Sequence, residues 1–297
     1  MSSNAKDKAG EDKGDKSDKS DKSDKSDNSD KSDNSGYRVD KEEGVWTFVI
    51  DRPEARNALT WPIRFALLQT VIEAEADARC SVLIITATGE KAFCSGGDVS
   101  VFSEEVATMD TRWPVEVMGH LRSIADIVKR ITASPVIVIS AVNGATFGGG
   151  TFLALSADIV IAHQRARFGF GFSQRGLVPD WGGFYVLPRL VGMARAKNLV
   201  LRGLTVKAPE AAQMGLIAEM VDTDVLQHAL GVAREMARGP KVALSMSKQI
   251  MSRSFETSLD GMLTYELLGQ TVARGTEDHR EGVMSFLEKR PPVFKGR

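Results

Sequence analysis

Few residues of the kind that build disulfide frameworks or metal centres occur in this sequence. It has 2 cysteines and 4 histidines among 297 residues. Cys80 and Cys94 lie in apolar contexts, which are typical of buried, reduced thiols. The histidines, which lack the spacing of metal ligands, are His120, His163, His228 and His279. We therefore expect no disulfide framework, no bound metal and a cytoplasmic location.

Long apolar runs and an excess of charge of one sign are also missing. No apolar run approaches the ~18–20 residues that a membrane-spanning helix needs. The formal net charge is −1, and the basic residues form no stripe. The sequence therefore argues against a membrane protein and against nucleic acid as a partner.

The first 36 residues differ in composition from the rest of the chain. From Lys13 to Asn34 the sequence repeats Lys, Ser and Asp with almost no apolar residue. Such a segment buries too little surface to offset its conformational entropy, so residues 1–36 are predicted to be a disordered tail. The composition is not that of a transit peptide, and no apolar stretch follows Met1. A solubilising or tethering tail is favoured over a partner-binding role.

Short β-rich segments alternate with helical segments in the remaining residues. Strands are predicted at Val45–Ile50, Val82–Thr86, Val136–Ser140 and Asp158–Ala162. Helices are predicted at Pro114–Ile131, Asp224–Ala237, Pro240–Ser252, Ser258–Arg274 and His279–Lys289, with a brief helix within Gly148–Ser156. This order indicates an α/β fold with a largely parallel sheet and a helical C-terminal part.

Two glycine-rich segments each come between a predicted strand and a helix. We call them the first glycine turn (Ala92–Asp98) and the second glycine turn (Asn143–Gly150). Glycine lets backbone amides approach a ligand closely, and a helix N-terminus supplies unpaired N–H groups. If both turns face one cavity, their amides would form an oxyanion hole for a polarised carbonyl. Either segment could instead be a simple tight turn, and neither matches a phosphate-binding motif.

The second glycine turn, continued by Leu153–Leu155 and Asp158, resembles the central signature of the crotonase (enoyl-CoA hydratase/isomerase) superfamily. Further similar motifs follow the family order: Arg52–Leu59, Ala92–Asp98, Ala166–Gly169, Gly176–Pro179, Gly182–Gly183 and Phe286–Arg290. The resemblance implies a crotonase-like spiral of ββα units in residues 37–230. It also implies a helical C-terminal trimerisation region at residues 231–297, in a homotrimer or a dimer of trimers.

The resemblance also implies what these residues do. The backbone amides of Gly97 and Gly149 would polarise the thioester carbonyl of an acyl-CoA, so that an enolate can form. The residues implied to bind coenzyme A are Arg56, Ala58, Gly97, Phe286 and Lys289, the last two from a neighbouring subunit. For Phe286 and Lys289 an ordinary amphipathic helix is the alternative. Coenzyme A would be part of the substrate, and no permanently bound cofactor is expected.

Phenylalanine stands where hydratases of the family carry their two catalytic glutamates. The first position, three residues after Gly149, is Phe152, and the second, twenty residues further, is Phe172. A benzyl group neither activates water nor exchanges a proton, so hydration through two glutamates is not expected. The candidate acid/base is Asp180, whose Pro-Asp-x-Gly-Gly context resembles that of ring-opening isomerases of phenylacetyl-CoA degradation. Its alternative role is to cap the following helix.

Aromatic residues are concentrated around these positions. The predicted substrate pocket consists of Phe147, Phe152, Phe172 and Trp181, which indicates a bulky or aromatic acyl group. These rings should also desolvate Asp180 and raise its pKa. A second acid/base is not evident, and Glu116 and His120 are weak candidates.

Several reactions remain open at this point. An enoyl-CoA-type isomerase that uses Asp180 for proton transfer is favoured over a hydratase. In a relative that dehalogenates chlorobenzoyl-CoA the corresponding aspartate is a nucleophile, so hydrolysis or displacement through Asp180 is an alternative. A catalytically silent protein that binds acyl-CoA is the third possibility, because loss of both glutamates fits it too.

Overall fold

Two sheets organise the chain. The computed structural model describes residues 35–98 and 113–297, so all but the last two residues of the predicted tail (residues 1–36) lie outside the described residues. The strands are β1 (Tyr37–Glu42), β2 (Val45–Ile50), β3 (Val82–Ala87), β4 (Ala92–Cys94), β5 (Ile137–Val142), β6 (Ala145–Phe147), β7 (Ile159–His163), β8 (Arg167–Gly169), β9 (Thr205–Lys207) and β10 (Glu219–Val221). In the described part, one sheet has the order β1-β2-β3-β5-β7-β10 and the other β4-β6-β8-β9.

The larger sheet is mostly parallel and buried on both faces. Only the β1–β2 hairpin is antiparallel within the described sheet. Strands β2, β3 and β5 are buried at every position and are apolar except for one Thr or Ser each, which is the composition of parallel strands covered on both sides. Alternate residues of β3 enter separate core clusters, Leu83 and Ile85 in one, Val82 and Ile84 in the other. Two layers of helices therefore cover this sheet.

Three of the helices supply those two layers. In the described residues they are α1 (Trp61–Ala76), α2 (Trp113–Ala133), α3 (Gly149–Leu155), α4 (Gly183–Val191), α5 (Met193–Arg202), α6 (Ala208–Gln213), α7 (Val225–Ala237), α8 (Lys241–Met251), α9 (Leu259–Arg274) and α10 (Glu277–Leu287). Helices α1 and α2 pack on one face of the large sheet and α7 on the other. Within the described chain, no helix combines the length and the apolarity needed to cross a membrane.

Repeated ββα units explain how the two sheets are connected. In β5–β6–α3 and in β7–β8–α4, the first strand joins the larger sheet and the second joins the smaller one. The four predicted strands each match an observed strand to within about two residues, and the α/β class and the helical C-terminal region are confirmed. The predicted boundary after residue 230 falls inside α7 (Val225–Ala237), a helix that was predicted at Asp224–Ala237.

Candidate active site

The two glycine turns lie side by side because each contains a short strand and these two strands pair. Strand β4, within the first turn, is parallel to β6, within the second, with Ala92 opposite Ala145. Gly96 has φ +99°, and a Cβ placed on it would lie 3.0 Å from the Phe147 carbonyl oxygen and 3.7 Å from Gly149 N. Gly96 therefore has to be glycine for both conformational and steric reasons. Of the two predicted oxyanion donors, Gly149 thus lies beside Gly96, and Gly97 is the next residue after Gly96.

Cys94, a buried residue of the first glycine turn, packs against Gly150 of the second. A Cβ on Gly150 would lie 2.6 Å from Cys94 Sγ and 2.5 Å from the Cys94 carbonyl oxygen. Gly96 N donates to Cys94 Sγ at 3.4 Å. Burial raises the pKa of the Cys94 thiol to about 12, so it stays neutral and serves packing. In residues 35–98 and 113–297 no His, Cys, Asp and Glu cluster is arranged to hold a metal ion.

The carboxylate of Asp180 lies beside the second glycine turn. A Cβ on Gly149 would be 3.5 Å from Asp180 Oδ1 and 2.8 Å from the indole Nε1 of Trp181. Gly149 opens helix α3 after Gly148, whose φ is +54°. The structure thus places the predicted acid/base and a predicted oxyanion amide next to each other, although they are 31 positions apart in the chain.

Burial without a partner governs the chemistry of Asp180. Its Oδ1 atom is buried and has no hydrogen-bond partner among the described residues. Desolvation raises the pKa of the carboxyl from 3.8 to about 6, while the positive charge of Arg64 works in the opposite direction. The direction agrees with the prediction. A carboxyl with this pKa is ionised at neutral pH and accepts a proton readily.

The alternative role of Asp180 as a helix cap is not observed. The N-cap residue of α4 is Gly182, and no side chain caps this helix. The link from Asp180 to the helix is its backbone carbonyl oxygen, which accepts from Gly183 N at 2.9 Å. The carboxylate oxygen Oδ1 is therefore available for another partner.

The predicted pocket residues differ in exposure. Trp181 and Phe172 expose 2% and 8% of their surface, and Phe147 exposes 40%. Phe152 exposes none and lies behind Phe172, with ring centroids 5.8 Å apart. A Cβ on Gly183 would lie 2.8 Å from the Phe152 ring. Phe152 thus packs against Phe172 on the core side of the predicted pocket, whereas Phe147 reaches the surface.

The segment predicted to bind the nucleotide part of coenzyme A is tied to the first glycine turn. The exposed Arg56 has φ +52°, and its carbonyl oxygen accepts from Ser95 N at 3.1 Å. Arg52 Nη1 donates both to the carbonyl oxygen of the buried Ala58, at 3.1 Å, and to Asp98 Oδ2, at 2.9 Å. The two segments therefore form one loop cluster, and the Arg52–Asp98 pair was not identified from the sequence.

The C-terminal residues predicted to bind coenzyme A are exposed. Phe286 exposes 82% of its surface, so it is not packed against either glycine turn of the same chain. Lys289 is exposed, has φ +53°, and donates its backbone N–H to the Phe286 carbonyl oxygen at 3.3 Å. The side chains of Glu116 and His120 lie outside the described residues.

Sequence reasoning missed one buried charge near the site, Arg64. It lies on α1, which was not predicted, and exposes 8% of its surface. Its guanidinium acts on the pKa values of both Asp180 and Cys94. The available signal was an arginine next to Ile63 on a face that continues with Leu67, because charged residues are rare on the buried face of a helix.

Comparison with known proteins gives a consistent result. A family model described as "Enoyl-CoA hydratase/isomerase" matches residues 40–297. A Rhodobacter capsulatus protein named "Probable enoyl-CoA hydratase" is 40% identical, over 88% of this chain and 98% of its own length. The 1,2-epoxyphenylacetyl-CoA isomerase of Escherichia coli is 36% identical over 86% and 97%, respectively. The crystal structure of an enoyl-CoA hydratase from Bacillus anthracis superposes with TM-score 0.81 and 30% identity, over 88% of this chain and 100% of that one.

Proposed function

The chain belongs to the enoyl-CoA hydratase/isomerase family, and we propose that it isomerises an acyl-CoA thioester through an enolate, with Asp180 as the acid/base. The observation that carries this proposal is the carboxylate of Asp180. Its Oδ1 is buried and unpaired among the described residues, and it lies against Gly149. An unpaired buried carboxylate is costly to keep, so its retention beside a predicted oxyanion donor favours a role in the reaction.

The proposed first step is polarisation of the thioester carbonyl. The N–H groups of Gly97 and Gly149 would donate to the carbonyl oxygen, which becomes negatively charged when a proton leaves the adjacent carbon. Gly96 and Gly150 support this step, because only residues without a side chain allow the two turns to approach so closely. Fixed backbone donors stabilise the developing charge without reorganising during the reaction.

The proposed second step is proton transfer by Asp180. In its ionised form the carboxylate takes a proton from a carbon conjugated with the carbonyl. The protonated form then returns a proton to another carbon of the same enolate, so that a double bond or a strained ring is rearranged. A pKa of about 6 suits both halves of this cycle near neutral pH.

The substitutions at the two glutamate positions support isomerisation over hydration. Phe152 and Phe172 are buried, pack against one another with tilted rings and offer no group that could activate water. The relative named 1,2-epoxyphenylacetyl-CoA isomerase supports an aromatic acyl group. The exposed ring of Phe147 and the rings of Phe172 and Trp181 would contact that group.

The proposal includes coenzyme A and a homo-oligomer. Arg56, Ala58 and Gly97 would contact the coenzyme A portion in one subunit, and Phe286 and Lys289 would reach it from a neighbour in a trimer or a dimer of trimers. Exposed apolar residues on α9 and α10 support such a partner; besides Phe286 they include Leu259, Leu263, Leu267, Leu268, Val272, Val283, Met284 and Leu287. A cytoplasmic location stays a prediction.

Exchange of carbon-bound hydrogen with solvent tests the proposal directly. Phenylacetyl-CoA has acidic hydrogens next to its carbonyl, so the enzyme should catalyse their replacement by deuterium in D₂O, followed by mass spectrometry. Asp180→Asn should slow this exchange by about 10²–10⁴-fold, the usual contribution of a general acid/base. Asp222→Asn, an exposed matched control, should not. Full exchange by Asp180→Asn would rule out the proposed role of Asp180.

Nucleophilic displacement is a second candidate, because the same unpaired Oδ1 atom could attack carbon. It predicts a covalent aryl ester on Asp180, formed with loss of chloride, during turnover of 4-chlorobenzoyl-CoA. With a hydrolysable acyl-CoA it predicts a mixed anhydride on Asp180, formed with loss of the coenzyme A thiolate. Digestion and mass spectrometry would detect either adduct, and incorporation of ¹⁸O from labelled water into Asp180 would follow hydrolysis of the ester. Binding of phenylacetyl-CoA without exchange, ester or product would instead indicate a silent acyl-CoA-binding protein.

A further inference from the structure

A permanently charged side chain lies buried on helix α1. Arg64 exposes only 8% of its surface and follows Ile63, which is fully buried. The next buried residue on this face is Leu67. Burying a guanidinium among apolar groups is unfavourable unless it is paired or hydrogen-bonded, because the charged group loses its hydration. Such a position therefore requires partners that repay the cost.

Arg64 donates a hydrogen bond to the backbone of Leu59, which pairs with the first glycine turn. Its Nη2 donates to the carbonyl oxygen of Leu59 at 3.2 Å. Leu59 N in turn donates to the Gly96 carbonyl oxygen at 2.8 Å, and Leu59 forms a parallel bridge with Gly97. The guanidinium also stacks over the Trp61 ring, 4.2 Å from its centroid. Arg64 is thus two hydrogen bonds away from the turn that carries the proposed oxyanion donor.

The same guanidinium acts on the second half of the site. Among the described residues, Arg64 is the charged side chain that influences the Asp180 carboxyl, and it lowers the pKa of that group against the effect of burial. It also lowers the pKa of Cys94, the residue of the first turn that contacts Gly150 of the second. Burial nevertheless keeps that thiol neutral. The geometry connects the guanidinium with the Asp180 carboxyl: Leu59 bridges Gly97, a Cβ on Gly96 would lie 3.7 Å from Gly149 N, and a Cβ on Gly149 would lie 3.5 Å from Asp180 Oδ1. The positive charge acts on Asp180 across this contact between the two turns.

We propose that Arg64 is a positioning residue that holds the Gly96–Gly97 backbone through Leu59 and stabilises the ionised carboxylate of Asp180. One side chain would thus connect the two parts of the reaction, the oxyanion donor and the base. The inference rests on the proposed function of Asp180. A guanidinium suits this role because its planar group donates in several directions and stays charged at every relevant pH.

The proposal has a definite sign in the pH dependence. Asp180 must be ionised to take the first proton, so exchange is lost as the pH falls through the pKa of about 6. Arg64 favours the ionised form, and its removal should move this loss to higher pH. A nearby opposite charge favours the ionised form of a carboxyl, so we expect the midpoint of the pH dependence to rise in Arg64→Met. The neutral Cys94 thiol and the Trp181 indole add no charge that changes this sign.

Two variants separate the electrostatic effect of Arg64 on Asp180 from its hydrogen bond to Leu59. Arg64→Met removes both the charge and the hydrogen bond to Leu59, whereas Arg64→Lys keeps the charge and loses the planar fork. Arg130→Met is the control, since Arg130 pairs with Glu75 at 2.7 Å between α2 and α1 and is outside the site. For each protein we would measure deuterium exchange into phenylacetyl-CoA from pH 5 to pH 9. We would also record the infrared carbonyl frequency of bound ¹³C-labelled phenylacetyl-CoA.

Arg64→Met should move the loss of exchange at low pH, the acid limb of the pH profile, to higher pH. It should also weaken the polarisation of the bound carbonyl. Arg64→Lys should keep the acid limb near that of the parent, with exchange reduced by about tenfold because the bond to Leu59 is lost or weakened. Arg130→Met should leave both readouts unchanged. Circular dichroism checks folding, and Arg64→Lys provides the test if Arg64→Met does not fold.

The outcomes distinguish this inference from the proposed function. If Asp180→Asn retains exchange, the proposed function fails. If Asp180→Asn abolishes exchange but Arg64→Met leaves the acid limb and the carbonyl frequency unchanged, only the role of Arg64 is refuted. If Arg64→Met does not fold, a loss of exchange in Arg64→Lys that moves to higher pH although the charge is kept would refute the electrostatic part.

Discussion

At the scale of single residues, the loop that carries Asp180 is held in a strained conformation. Trp181 has φ +49° although it is bulky and exposes only 2% of its surface, and Gly182 follows with φ +72°. A non-glycine residue in this region costs on the order of 1–3 kcal/mol and persists where the surroundings over-determine it. Here the indole packs against Gly149, and this contact keeps the neighbouring carboxylate at the second glycine turn.

Because the Oδ1 atom of Asp180 is buried and has no partner among the described residues, Asp180→Asn should stabilise the protein while it removes activity. Folding raises the pKa of this carboxyl from 3.8 to about 6. Its ionisation therefore destabilises the folded state above pH 6, and this penalty disappears as the pH falls toward 4. We expect a gain of about 1–2 kcal/mol in the free energy of unfolding at pH 7.5 and almost none at pH 4.

Urea unfolding of both proteins at pH 4 and pH 7.5 measures this difference. Asp222→Asn, an exposed substitution, should change stability by less than about 0.5 kcal/mol at either pH. An equal effect of Asp180→Asn at the two pH values would contradict a buried, ionised carboxylate.

At the scale of elements, close packing between short segments forms the site, and a buried ion pair anchors the helices behind it. Lys248 on α8 exposes 6% of its side chain and donates to Asp158 Oδ2 at 2.7 Å. Its ammonium also donates to the carbonyl oxygens of Ile131 and Val136 at 2.8 and 2.7 Å. All three N–H donors of the ammonium are used, so the C-terminal helix α8 is tied to α2 and to the start of β5.

Two glycines in helices should respond to alanine in opposite ways. At Gly150 in α3 a Cβ would meet the Cys94 carbonyl oxygen at 2.5 Å, a backbone atom that has no room to move, so Gly150→Ala should destabilise the protein and slow exchange. At Gly231, inside α7, no atom lies within 4 Å of a new Cβ. Gly231→Ala should therefore raise stability by about 0.5–1 kcal/mol.

Thermal unfolding and deuterium exchange, measured on both variants, test this contrast. The position of β4 against α3 would have to be revised if Gly150→Ala were as stable and active as the parent. A loss of stability in Gly231→Ala would show that the space around α7 is filled, for example by another subunit.

At the scale of the whole molecule, the described surface concentrates apolar residues on the C-terminal helices. Leu267 and Leu268 on α9 expose 70% and 57% of their surface, and Phe286 and Leu287 on α10 expose 82% and 68%. An apolar face of this kind is typical of a subunit interface. The proposed trimer would cover it and would bring Phe286 and Lys289 to the coenzyme A site of a neighbour.

Leu267→Glu should therefore dissociate the proposed trimer, because it places a charge in the predicted apolar interface. Sedimentation velocity should show the mass change from trimer or hexamer to monomer. Calorimetry should show that coenzyme A binds at least tenfold more weakly (about 1.4 kcal/mol), since Phe286 and Lys289 of the neighbour are withdrawn. Gln227→Glu on the exposed side of α7 should change neither result. A parent protein that is monomeric and binds coenzyme A tightly would contradict the oligomer proposal.

Much of the fold and several site residues could be predicted from sequence, because their signals are local. The strand Val45–Ile50 was predicted at its observed limits, since its apolar, β-branched composition is characteristic of a buried parallel strand. The three-residue strands of the smaller sheet, such as β4 and β6, were missed because they are too short to show a period. Helix α1 was missed too, and with it Arg64.

Composition and motif order were sufficient to indicate the α/β class, the family resemblance and the missing glutamates, because these properties follow from residue identity along the chain. Folding alone places the Asp180 carboxylate against Gly149, leaves its Oδ1 without a partner among the described residues, and brings Arg64 to the first glycine turn. The reason is physical: desolvation and electrostatic effects depend on distances between segments, and these distances are set by how β4, β6, α1 and α4 pack together.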